Sequence, residues 1–227
     1  KRDVIGEYGK RAAVCPVGGA RWIGKQRTAG SSMAEVLRDK PFYAEGGGMT
    51  LTGGEPLLQP KLAEALLRLA KAESITTAIE TCGYATWQTF ERLVPYLDSI
   101  LFDLKHMDDT IHRTWTGVGN EPILDNLCRL VAAHAPVTVR VPLIPGFNAD
   151  GENIPASNLA AIGAFVAGLE GDVPHVDVLP YHAFGRSKYA ALARPYPWQV
   201  HERLTDHQVG ELADVLRGQG LNVTIGG

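Results

Sequence analysis

Short apolar runs alternate with longer amphipathic stretches along this chain. Met49–Thr52, Ile75–Ile79, Ser99–Phe102, Val137–Leu143 and Val176–Leu179 are brief, apolar and mostly β-branched. Near-continuous apolar runs of that length predict strands of a parallel sheet covered by helices. Helical patterns lie between them. Pro60 suits the first turn of a helix over Lys61–Ala72, with Leu62, Leu66 and Leu69 sharing a face with Ala65. Thr86 suits the cap of Trp87–Leu97, with Phe90, Leu93, Val94 and Leu97 inward. Ile123–His134 and Leu159–Leu169 carry similar stripes, and Thr205 or Asp206 suits the cap of Gln208–Arg217, stopped by Gly218 or Gly220. At least five strand–helix units predict an α/β fold, either a barrel or a doubly wound sheet. Leu221–Gly227 reads as a finishing strand, whereas residues 1–30 hold glycines and charges and no clear element.

Composition narrows the class without naming a function. The chain has 227 residues, 45% of them hydrophobic and 21% charged, an ordinary globular balance that excludes disorder, collagen and coiled coil. The length fits one large domain, or one domain with a small appendage. No apolar run approaches the roughly 20 residues of a membrane span, and Lys1–Val4 lacks the apolar core of a signal peptide. Residues 1–40 hold nine basic and four acidic side chains, a net of +5, against a whole-chain net of −3. A chain that is acidic overall and lacks basic–aromatic runs is not built for nucleic acid, so the basic segment reads as a solvated surface. Cys15, Cys82 and Cys128 are too few and too scattered for a disulfide framework, which points to a reducing cytoplasm.

The chemistry collects where the strands end. Gly53-Gly54-Glu55-Pro56 follows the first strand, Glu80-Thr81-Cys82-Gly83 the second and Asp103-Leu104-Lys105 the third. Arg140 interrupts the fourth, which runs into Pro145-Gly146-Phe147-Asn148, and Pro180-Tyr181-His182 closes the fifth. In a parallel α/β fold these clusters converge on one face, where sites are built. Gly53 and Gly54 let a ligand approach the backbone. Glu55, Glu80 and Asp103 suit an ammonium group or a hard cation. Lys105 and Arg140 suit a carboxylate, and His182 a sugar or base edge. The set fits a zwitterionic ligand and holds no evident nucleophile–base pair.

Other motifs fail on context. Gly19–Lys25 has P-loop spacing, but Gln26 stands where Ser or Thr should meet Mg²⁺, and no strand leads in. Gly46-Gly47-Gly48 precedes a strand instead of opening a helix, so it is no dinucleotide fingerprint. His106 and His112, like His201 and His207, are spaced six apart, do not form HExxH, and read as solvated helix residues. Cys82 and Cys128 read as buried apolar residues.

Taken in order, the clusters resemble one family. Gly46–Leu57 is similar to the glycine-rich strand and GGE motif of the glycyl-radical-enzyme activating enzymes, radical S-adenosylmethionine (SAM) proteins. The resemblance continues through Glu80–Gly83, Asp103–Asp108, His112-Arg113, Thr116-Gly117-Val118, Asn120 and Ile123-Leu124. It then takes in Arg140–Asn148, Leu179–His182, Gly185, Ser187-Lys188-Tyr189 and Ile225-Gly226-Gly227, and so covers about residues 33–227. It implies a partial parallel (β/α)6 barrel over residues 31–227, lacking its first strand, behind a remnant ferredoxin-like insert at 1–30.

The resemblance also implies a reaction. A [4Fe–4S] cluster held by CxxxCxxC reduces SAM, and the 5′-deoxyadenosyl radical so released takes a hydrogen atom from one glycine of a partner enzyme. The implied partners are that glycyl radical enzyme and a flavodoxin or ferredoxin-type electron donor. Carried over by position, Gly53, Gly54 and Glu55 bind the amino group of SAM, Lys105 meets its carboxylate, and His182 lies along its ribose or adenine. Leu104 and Arg140 belong to the same SAM-binding set. Glu80, Thr81 and Asp103 match the family's monovalent-cation site, with Glu80 in place of the Asp of some members.

The chain departs from the family in one respect: Cys15, Cys82 and Cys128 form no CxxxCxxC, and three thiolates are needed to hold the cluster. The expectation is therefore an N-terminally truncated member whose cysteine loop lies upstream of Lys1. Cys15-Pro16 matches the end of a ferredoxin CxxCxxCxxxCP motif, with Ile5, Tyr8 and Arg11 at its other cysteine positions, so Cys15 is a remnant ligand. Two alternatives stand beside this reading. One is a cluster-free module that binds SAM or a partner. The other is an unrelated barrel lyase or aldolase using Lys105 as a Schiff-base amine.

Overall fold

A computed structural model describes residues 26–43, 46–149, 156–196 and 203–226. Six strands run in one parallel sheet in the order β1 (Gly48–Leu51), β2 (Thr76–Thr81), β3 (Ser99–Asp103), β4 (Val137–Leu143), β5 (His175–Pro180) and β6 (Val223–Ile225). Each strand is added beside its predecessor, the one-way winding of a barrel wall and not of a doubly wound sheet. The sixth strand is the finishing strand at the C-terminus, and β1 and β6 lie at the two edges. Lys188, in the helix that follows β5, reaches the Gly53 carbonyl beside β1 at 3.4 Å, so the segment after β5 crosses back toward the first strand.

Eight helices accompany the strands among the described residues: α1 (Ala29–Asp39), α2 (Pro60–Ala72), α3 (Trp87–Leu93), α4 (Asp109–Thr116), α5 (Glu121–Ala132), α6 (Ala156–Ala167), α7 (Arg186–Ala191) and α8 (Asp206–Arg217). Thr205 starts α8 with a capping box, accepting from the Gln208 amide while the Gln208 side chain returns to the Thr205 backbone N–H. Thr86 precedes α3 without a side-chain cap bond, and α3 ends early because Pro95 turns Val94–Tyr96 into a 3-10 turn. In α2 the buried face is Ala63, Leu67 and Ala70, one position on from the expected stripe; Leu69 is left 39% exposed. None of these helices is long and apolar enough to cross a membrane.

The strands are not continuous apolar runs buried on both faces. Burial alternates along β2, β3 and β4. One face holds Ile79, Ile100, Phe102, Val139, Val141, Val176 and Val178, all 0% exposed, in one core with Leu67, Phe90, Leu127, Leu212 and Leu216 of the helices. At about 1.5–3 kcal/mol for each fully buried large aliphatic or aromatic side chain, this face carries most of the stability. The other face is half open and carries Glu80, Asp103, Arg140 and the buried Asp177.

Candidate functional site

The half-open face is ordered by strand register. Asp103 pairs with Arg140, Arg140 with Asp177 and Asp177 with Thr224, which sets four polar side chains in a row across β3–β6. Glu80 pairs with Leu101, so it lies diagonally from Asp103, within reach of a long side chain. Arg140 spans the two carboxylates: its Nη1 donates to Glu80 Oε1 at 3.1 Å and its Nε to Asp103 Oδ1 at 3.1 Å. Thr52 Oγ1 donates to Glu80 Oε2 at 2.6 Å, and Lys105 Nζ donates to Asp103 Oδ2 at 3.2 Å. The result is a chain of alternating charge, Glu80–Arg140–Asp103–Lys105, anchored at β1. The expected cation pair, Glu80 and Asp103, thus shares a guanidinium. At the lower end His175 Nε2 lies 3.1 Å from Asp177 Oδ1 and from Thr224 Oγ1, and Thr224 bonds Asp177.

Glu55 organises the loop after β1. One of its carboxylate oxygens accepts from the Leu57 amide at 3.0 Å and the Thr81 hydroxyl at 2.9 Å; the other accepts from the Cys82 amide at 2.8 Å. Thr81 Oγ1 in turn accepts from the Gly83 amide at 3.0 Å. These bonds tie the Gly53–Glu55 turn to the end of β2 and present the glycines outward. Gly53 has φ +131°, a conformation side chains rarely adopt, and a Cβ built at Gly53 or Gly54 would meet nothing within 4 Å. Burial, with Glu55 alongside, raises the Cys82 thiol pKa.

Lys105 is fixed from behind. Its carbonyl accepts from Asn148 Nδ2 at 2.9 Å, and Asn148, 1% exposed, also binds the Pro142 carbonyl and the Ile144 amide. Asn120 Nδ2 bonds the carbonyls of His106 and Met107 at 3.0 and 2.7 Å, and Asn158 Oδ1 accepts from the Met107 amide at 2.9 Å. Buried amides thus pin the turn that aims Lys105. Asn120 and Asn148 stand in the sequence motifs, but their clamping role does not; Asn158 has no sequence signal at all.

His106 and His112 are not solvated, as the sequence suggested: they are 6% and 3% exposed. His106 Nδ1 accepts from the Asp108 amide at 3.0 Å, its ring lies 5.5 Å from that of Phe147, and burial lowers its pKa. Leu104 is 1% exposed in the hydrophobic core, and its N–H donates to the Arg140 carbonyl at 2.9 Å. His182 is exposed at the end of β5. Cys128 is exposed on α5 and Cys82 half-buried, against the expectation that both are core residues. Cys15 and residues 1–25 lie outside the described residues.

Beside Lys105 opens a cavity of about 270 Å³, walled by Trp115, Phe147, Tyr181, Tyr189 and Tyr196. The Tyr181 and Tyr196 hydroxyls are 2.7 Å apart, and burial followed by that hydrogen bond pushes the Tyr196 pKa up to about 12. Open glycine backbone, a cation for a carboxylate and an aromatic-walled space together fit SAM. The cysteines do not fit a [4Fe–4S] cluster: Cys82 and Cys128 are two thiols of raised pKa, and no His/Cys/Asp/Glu group among the described residues is arranged to hold a metal.

The family model "Radical SAM superfamily" matches residues 13–154. The isethionate sulfite-lyase activating enzyme of Desulfovibrio desulfuricans is 42% identical over 214 residues, 90% of this chain and 65% of that protein. The choline trimethylamine-lyase activating enzyme of Oleidesulfovibrio alaskensis is 36% identical over 89% of this chain and 65% of its own length. This chain therefore spans about two thirds of these relatives. A crystal structure of a domain of pyruvate-formate lyase-activating enzyme from Bacteroides vulgatus superposes with a TM-score of 0.65 at 32% identity, covering 80% of this chain and all of that one. These matches set aside the unrelated aldolase. With the ordered strand-end clusters and the one-way parallel sheet, they show that the chain belongs to the radical SAM superfamily, in its glycyl-radical-enzyme activating family.

Proposed function

We propose that this chain is the SAM-holding part of an activating enzyme that takes a hydrogen atom from one glycine of a glycyl radical enzyme, in the cytoplasm, with a flavodoxin or ferredoxin-type protein as electron donor. SAM, when bound, supplies the radical chemistry; the residues here bind and orient it. Gly53 and Gly54 offer backbone carbonyls to its ammonium in a turn that Glu55 holds in place. Lys105, aimed by Asp103 and Asn148, meets its carboxylate, and Arg140 keeps Asp103 in position. His182 and the aromatic cavity receive the ribose and adenine and shield them from water. The observation that carries this reading is the Glu80–Arg140–Asp103–Lys105 chain ending beside open glycine backbone. Thr81 serves the same face indirectly, by bracing Glu55.

Calorimetry with SAM tests it. Without a metal anchor the expected Kd is roughly 0.1–1 mM, since hydrogen bonds to charged groups contribute only about 1.5–3 kcal/mol each. Lys105→Ala should weaken binding about tenfold or more, whereas His106→Ala should leave it within twofold if the variant stays folded. The reverse order would overturn the assignment of the Asp103-Leu104-Lys105 segment.

A second reading, a cluster-free module that holds SAM or a partner without cleaving it, is favoured by the thiols alone. Under the first reading the thiolates come from polypeptide outside this chain. In either case anaerobic reconstitution of this chain should yield far fewer than four irons per chain, by iron and sulfide analysis. The sequence encoded upstream separates the two readings: a CxxxCxxC there favours the activating enzyme.

A further inference from the structure

The segment that follows β5 caps one side of the site: Tyr181, Tyr189 and Tyr196 line the cavity beside Lys105. It is held together by its own aromatic residues: Tyr181 and Tyr196 share a hydrogen bond, Tyr189 meets the Tyr196 ring edge-on at 5.1 Å, and the Arg186 guanidinium lies 5.5 Å from the same ring. Residues 181–196 thereby form one wall of the cavity beside Lys105. From α7 in this cap, Lys188 Nζ reaches across to the Gly53 carbonyl at 3.4 Å, 135 residues away in sequence. An N–H donor on a carbonyl oxygen normally sits at about 2.7–3.2 Å, so this contact is long and easily displaced. It also lands on the glycine whose flank is open and whose turn is braced from behind by Glu55.

We propose that Lys188 is a stand-in cation: its ammonium occupies the Gly53 carbonyl until the ammonium of SAM replaces it, and that exchange releases the 181–196 cap. The inference rests on the reading of Gly53 as a SAM contact given above. Two ammonium groups on one carbonyl oxygen repel each other, so ligand and Lys188 exclude one another at this atom. A protein whose competent state is only partly populated binds with its intrinsic affinity reduced by that fraction. The competition is confined to this one atom, so the contact lowers the affinity of a ligand that brings an ammonium to it and leaves that of the nucleoside alone unchanged.

The test pairs two ligands with two proteins. Calorimetry measures SAM and 5′-methylthioadenosine, which keeps the nucleoside and lacks the amino-acid end, on the unmodified chain and on Lys188→Met, which keeps the aliphatic stem. Lys188→Met should bind SAM about three- to tenfold more tightly and leave methylthioadenosine unchanged. Hydrogen exchange of the amides of residues 186–192 should quicken in the unmodified chain when SAM is added, but not with methylthioadenosine. If Lys188→Met binds SAM no better or more weakly, or if both ligands change by the same factor, Lys188 is not a stand-in. Unchanged exchange with SAM overturns the release of the cap. SAM binding to neither protein overturns the reading of the whole face, whereas equal binding to both overturns the stand-in alone.

Discussion

Phe102 and Asp103 are neighbours in β3 and live under opposite rules. Phe102 is 0% exposed, 6.5 Å from the Phe90 ring, on the face where the helices pack. Asp103 faces the other way, keeps 24% of its side chain exposed, and is held between Arg140 and Lys105. The same division runs through Ile79 and Glu80 in β2 and through Val139 and Arg140 in β4. The parallel strands here are therefore two-sided: period-2 alternation gives one face to packing and one to paired charges. The charges survive on the second face because each has a partner and a window to solvent, so desolvation is partial and pairing offsets it.

The comparison breaks first on the packed face. Phe102→Ala removes a fully buried ring and should cost about 3–5 kcal/mol, read as a lower urea midpoint. Gly83→Ala attacks the same ring from outside: Gly83 has φ +75°, and a Cβ there would run into Phe102. Strain and overpacking together should cost about 2–3 kcal/mol. If either variant unfolds at the unmodified midpoint, the packed face is not where stability resides.

How much of this was written in the sequence follows the same division. The apolar runs marked five strands to within two residues at each end, since a buried strand face must be apolar. The strand-end clusters marked the site because glycine and charge seldom follow an apolar strand by chance on five occasions. Legibility failed where side chains are satisfied by distant partners. His106 and His112 look like surface residues until Phe147, Asp108 and Val118 surround them. Asn158 gives no local hint that it will hold Met107, 51 residues away. The stripe of α2 was misplaced by one position because Leu66 and Leu69 fit a helical face as well as Leu67 does; only the tertiary packing chooses Leu67. Arg140 looked like a ligand for a foreign carboxylate, and the carboxylates it meets are Glu80 and Asp103 of the chain itself.

The polar face should respond differently. Arg140→Leu leaves Glu80 and Asp103 without their shared cation. Because all three side chains keep some exposure, 17–33%, the stability loss should be only about 1–2 kcal/mol. The effect on SAM should be larger than that loss suggests, because an Asp103 without Arg140 swings with Lys105: affinity should fall about fivefold or more. Arg140→Lys should recover part of the stability and little of the affinity, since an ammonium cannot fork between two carboxylates. Equal recovery of both would mean that Arg140 supplies charge and no geometry.

The smallest effect sharpens the boundary between the faces, at His106. Burial lowers its pKa below the usual 6.5, because an imidazolium there would lose its hydration among Phe147 and its neighbours; nearby Asp108 opposes this only in part. The folded protein therefore binds this proton more weakly than the unfolded chain does. Stability from this residue is fully present above pH 6.5 and declines as pH falls through that value toward the lower folded pKa. Urea midpoints taken between pH 7.5 and 5 should show that decline, and His106→Asn, which keeps an acceptor for the Asp108 amide, should flatten it. The change should be smaller than that of Arg140→Leu, because a single proton on one side chain is at issue. SAM affinity, measured in parallel at pH 7.5 in His106→Asn, should stay within twofold of the unmodified chain, since His106 turns toward Phe147 while Lys105 turns toward Asp103.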